Sequence, residues 1–95
     1  MGNGVMRVGD ADAGHEYYAG TSGNGGSPNV FVNGRAVQRQ GDGWGTHTFG
    51  DNTHSSVVQT ASKTVFINGR PIGRSGDTLS CGASVINGSP TVFAG

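Results

Sequence analysis

Strong helix formers are nearly missing from this chain of 95 residues: Leu, Glu and Lys occur once each, at Leu79, Glu16 and Lys63. That scarcity argues against helical structure. Cysteine also occurs once, so no disulfide forms within the chain. Charge is sparse and balanced, six basic against six acidic residues with formal net charge zero. No basic face is therefore on offer to nucleic acid, and none is expected as a partner. No apolar run is long enough to cross a bilayer as a helix. The N-terminus lacks the basic region and apolar stretch of a signal peptide. A chain this short leaves much of its surface in water. Without a disulfide it needs another staple, and small scaffolds recruit a metal, a partner or an oligomer.

Glycine is what the chain has in excess, at 19 residues. It follows no Gly-x-y period, which excludes collagen. Val, Thr, Phe and Ile are well represented and suit strands. The expectation is an all-β fold in one domain, residues 1–95, built of short hairpins.

Repetition gives the organisation. Arg-x-Gly-Asp occurs at 7–10, 39–42 and 74–77. The last two copies close a longer match: "SPNVFVNGRAVQRQGD" at 27–42 and "SKTVFINGRPIGRSGD" at 62–77. Each reads as a strand, an Asn-Gly hairpin turn and a second short strand, because Asn and Gly both tolerate positive φ. The first copy, "GVMRVGD" at 4–10, lacks a front half. That half stands at the other end, in "SPTVFAG" at 89–95. The simplest geometry pairs 91–94 with a strand near 4–8, which makes three equivalent units around a closed ring. An open array would instead expose two raw sheet edges.

Each Gly-Asp is followed by a metal-type ligand: His15 five residues after Asp10, His47 five after Asp42, and Cys81 four after Asp77. Threefold symmetry would gather these three near the axis. His54, in the 43–56 loop, is the remaining histidine. Three His and one Cys make a complete tetrahedral set for zinc. No repeat position predicts His54, and Asp51 or Asp12 could replace it as an oxygen ligand.

The unit N-G-R-x-x-x-R-x-G-D with its downstream ligand resembles the PAAR-repeat family over essentially the whole chain. The name motif corresponds to Pro71-Ile72-Gly73-Arg74, Ala36-Val37-Gln38-Arg39 and Gly4-Val5-Met6-Arg7. The resemblance implies a small cone with zinc near its tip, held by His15, His47, His54 and Cys81. It implies a structural, non-enzymatic role, sharpening the membrane-piercing spike of a contractile injection machine, a phage tail or a type VI secretion system. The implied partner is a trimeric β-helical spike, of the VgrG type or a phage central spike, with one tip per trimer. The target cell membrane is met on penetration. The implied location is the tail tip of a virion, or the cytoplasm before secretion.

The strands expected at 29–32, 64–67 and 91–94 would form the base, with Val30, Val32, Val65, Ile67 and Val92 as candidate contacts to the spike. Phe31, Phe66 and Phe93 stand at equivalent positions and are expected to place most of their area in the core. The other class of function is a small zinc protein with a metallochaperone or hydrolytic role. Against it, four protein ligands close a zinc site, no HExxH spacing is present, and there is no CxxC transfer pair.

Overall fold

The computed structural model describes residues 3–14, 22–49 and 52–95, without the side chains of 46–49 and 52–54. Among the described residues there is no helix. The strands are β1 (Asn3–Gly4), β2 (Phe31–Val32), β3 (Arg35–Ala36), β4 (Gly43–Phe49), β5 (Asn52–Val57), β6 (Phe66–Ile67), β7 (Arg70–Pro71) and β8 (Phe93–Ala94). They form four antiparallel two-stranded sheets, β1–β8, β2–β3, β4–β5 and β6–β7. The body measures 38 × 26 × 22 Å.

Local chemistry writes the three repeated hairpins. Asn33 and Gly34 have φ of 55° and 76°, and Asn68 and Gly69 have 55° and 77°. Positive φ at both central residues defines the type I′ turn, whose twist matches that of a hairpin. Phe31 then faces Ala36, and Phe66 faces Pro71. In the split unit Phe93 faces Gly4 and Ala94 faces Asn3, so two distant segments reproduce the same register. The strands are shorter than the expected spans because a serine bends the chain ahead of each. Ser27 Oγ accepts from the amides of Asn29 and Val30, Ser62 Oγ from Thr64 and Val65, and Ser89 Oγ from Thr91 and Val92.

We call 89–95 with 3–10 the first unit, 27–42 the second and 62–77 the third. Their inner strands close a ring. Arg7 bridges to Val37, Arg39 to Ile72 and Arg74 to Val5. At the centre a cyclic set of backbone bonds joins three equivalent residues: Gln38 donates to Met6, Gly73 to Gln38 and Met6 to Gly73. Neighbouring residues of a strand point to opposite faces, and the ring follows that rule. Val5, Val37 and Ile72 join Ala94 in one apolar cluster, with Val30, Val32, Val65 and Ile67 packed on it. Met6, the next residue after Val5, belongs to a second cluster with Trp44, Val58, Leu79, Ala83 and Val85. The axis carries unequal side chains for a steric reason. A Cβ on Gly73 would stand 3.0 Å from the Met6 Cε and Sδ, so Met6 fills the volume that a side chain at 73 would need.

The Arg-x-Gly-Asp motif is a turn with a built-in brace. The Asp amide donates to the Arg carbonyl in all three copies. The third residue has positive φ, 94° at Gly9 and 90° at Gly41 and Gly76, the requirement of a type II turn. The Asp carboxylate then reaches back to the Arg amide and accepts a two-pronged bond from its guanidinium. In the second copy these bonds are 2.7, 2.8 and 2.9 Å. Such forked, charge-assisted pairs are both strong and geometrically specific.

Candidate metal centre and docking face

Beyond each Gly-Asp lies a second antiparallel pairing, and these three pairings close a ring of their own. In the first, Ala11 bridges to Ser22. The second is β4–β5, and in the third Thr78 bridges to Ser84. Between pairings, Gly23 bridges to Trp44, Val58 to Leu79 and Val85 to Asp12. The Met6 cluster fills the inside of this tier.

Of the expected ligands, His47 and His54 lie on the second hairpin of this ring and Cys81 on the third. His15 falls outside the described residues. His47 and His54 are register partners across β4–β5, directly opposite each other in the backbone; their side chains lie outside the described residues. The sequence treats 43–56 as a loop, whereas the structure folds Gly43–Phe49 and Asn52–Val57 as its longest hairpin. The missed signal is the alternation of Trp44 and of Ser56 and Val58, all buried, which the glycines on either side obscure. Cys81 sits at the turn of the third hairpin, half-buried against the Met6 cluster. The Gly82 amide closes that turn on the Leu79 carbonyl at 2.9 Å, and Gly82 has φ of 97°. Asp12 is buried, and its carboxylate accepts from the Gly14 amide at 2.6 Å. Asp51 lies outside the described residues. Among the described residues no three His, Cys, Asp or Glu side chains gather to hold a metal.

The opposite tier carries the candidate docking residues. Val30, Val32, Val65 and Ile67 are half-buried against the Val5 cluster, and Val92 is 40% exposed. The three phenylalanines correct the sequence expectation. Phe31, Phe66 and Phe93 are 59%, 56% and 56% exposed, so most of their area lies outside the core. The cause is strand alternation. Val30 and Val32 take the inward positions on either side of Phe31, as Val65 and Ile67 do for Phe66.

Arginine charge on this tier is paired internally, while Lys63 stays exposed. All five arginines pair with the three motif aspartates: Arg7 and Arg35 with Asp10, Arg39 and Arg70 with Asp42, and Arg74 with Asp77, at 2.8–3.2 Å. Burial by itself would raise the Asp42 pKa, but its bonds to Arg39 and the charge of Arg70 outweigh that and hold it below the usual carboxylate value. The Arg39 and Arg74 guanidinium groups are held above theirs, chiefly by their bonds to Asp42 and Asp77.

A family model, the PAAR motif, matches residues 13–87. No curated protein matches the chain.

Proposed function

The chain belongs to the PAAR-motif family, and on that premise we propose that it is a structural tip for the trimeric, membrane-piercing spike of a contractile injection machine. The observation that carries this reading is the threefold repetition of exposed phenylalanine at 31, 66 and 93 on a ring of three equivalent hairpins. A monomer with three like contacts can sit on the end of a true trimer and use all three at once. Large exposed apolar side chains in a chain so poor in charge favour an apolar contact. The spike is a trimeric β-helix, and one tip serves each trimer. The role needs no catalysis.

The opposite tier would hold the metal. His15, His47, His54 and Cys81 supply three nitrogens and one thiolate, the donor set of a closed structural zinc site. Three observations favour them. His47, His54 and Cys81 fall on two neighbouring hairpins joined by the Val58–Leu79 bridge. His47 and His54 are opposite in register. Cys81 sits in a tight turn at the edge of a packed cluster. Zinc there would cross-link the three segments beyond the Gly-Asp turns into one rigid end. A rigid end concentrates force when the machine drives the tip against the target membrane.

The test is the mass of the complex formed with a purified spike fragment. One tip per trimer, with little loss of binding as salt rises, is the expected result. Three tips per trimer, or strong loss in modest salt, would overturn the docking model in favour of a side-on or charge-driven contact.

A further inference from the structure

We propose that the ring has one weak seam, between the first and third units, and that it opens there. Three seams join the three units, and two of them are clamped by an arginine that reaches across. From the second unit, Arg35 Nε donates to the Val8 carbonyl at 2.9 Å and Nη2 to Asp10 at 2.9 Å in the first. From the third unit, Arg70 donates to the Gln40 carbonyl at 3.0 and 2.8 Å and to Asp42 at 3.2 Å in the second. At the equivalent place in the first unit stands Asn3. The equivalence is geometric. A Cβ built on the turn glycine would meet Arg35 Nη2 at Gly9, Arg70 Nη2 at Gly41 and Asn3 Nδ2 at Gly76.

Asn3 is too short to clamp, and all five arginines are already committed. The Asp77 oxygen that a third clamp would use accepts instead from Thr60 at 3.0 Å, a residue just ahead of the third unit that does not reach across the seam. A second tie is also missing at this seam. Arg7 Nη1 donates to Asn33 and Arg39 Nη1 to Asn68, each across a seam. The position equivalent to Asn33 in the first unit is Gly95, which has no side chain to offer Arg74. The Arg74 side chain is accordingly 22% exposed, against 8% for Arg7 and 9% for Arg39. What remains at the third seam is the serine tie that every seam carries, here from Ser62 Oγ to the Gly95 carbonyl, and backbone pairing, with Ser75 donating to Gly4 and Met6 to Gly73. Its two sides are therefore held by fewer charge-assisted bonds than either of the others, and local opening follows the weakest contacts.

Amide hydrogen exchange of the full chain, read residue by residue by NMR, tests this at three equivalent amides. Val8 donates to Ala36, Gln40 to Pro71 and Ser75 to Gly4, one bond across each seam. Ser75 is expected to exchange faster than the other two, by about five- to tenfold, the worth of a partly exposed charged hydrogen bond. Asn3→Arg supplies the third clamp and should slow Ser75 toward the rate of Gln40. Arg35→Asn removes the first clamp and should speed Val8 toward the rate of Ser75. Simple fraying of the chain ends would not make Val8 respond to residue 35. Equal protection of Val8, Gln40 and Ser75 in the wild-type chain would overturn the proposal, as would a Ser75 rate indifferent to Asn3→Arg together with a Val8 rate indifferent to Arg35→Asn.

Discussion

The Arg39 guanidinium grips both carboxylate oxygens of Asp42, three residues away, and both side chains are more than nine-tenths buried. The same pairing recurs at Arg7–Asp10 and Arg74–Asp77. A buried pair of this kind gives modest net stability when intact but is expensive to break, because the survivor is left charged and buried. Asp42→Asn should therefore cost about 3 kcal/mol or more at neutral pH, measured by denaturant unfolding.

Acid should act on the same group. The folded pKa of Asp42 lies below the reference value of 3.8. A depressed carboxylate contributes stability that is fully present above its unfolded pKa and is lost as pH falls through the folded one. Stability should be level above about pH 5 and decline below about pH 4. The Asp42→Asn variant should decline less steeply over that window. An equal slope for both proteins would place the acid response elsewhere.

The turn glycines are predicted to be intolerant. Gly41 holds φ of 90°, where a Cβ is strained whatever the space around it. Gly41→Ala should lower stability by more than about 1 kcal/mol. Its neighbour in the same turn, Gln40, is exposed, and Gln40→Ala should change stability by about 0.5 kcal/mol or less. Thermal melts of the two variants make the comparison directly.

For the metal, elemental analysis of purified protein should find close to one zinc per chain. Cys81→Ser should lower occupancy and melting temperature together, since a structural site contributes directly to folding. His54→Ala tests the ligand that no repeat position predicts. Unchanged occupancy would transfer the fourth place to a carboxylate such as Asp51 or to water.

For the docking face, Phe31→Asp, Phe66→Asp and Phe93→Asp should each leave the fold intact, because these side chains are mostly exposed. Each should weaken binding to the spike, by about tenfold for loss of one apolar anchor. Full binding by the triple variant would remove these residues from the interface.

Residue order alone determined the threefold organisation. Asn33-Gly34 and Asn68-Gly69 dictate type I′ turns because positive φ is cheap only for such residues, and the Gly of each Arg-x-Gly-Asp dictates the turn that its Asp braces. These are local constraints, acting over two to four residues, and local constraints are legible in sequence. The matching halves at 4–10 and 89–95 likewise announce a unit assembled from both ends. Only the tertiary structure decided which way the hairpin strands face. Val30, Phe31 and Val32 are all apolar, so the pattern gives no sign of the alternation that buries the valines and exposes Phe31. The assignment comes from packing against Val5, Val37 and Ile72, residues distant in the chain. The same holds for β4–β5. Its glycines and polar residues read as a loop, yet bridges to Gly23 and Leu79 on either side hold it as a hairpin. The unequal seams were equally hidden, because Asn3 is unremarkable until the ring sets it where the other units place an arginine.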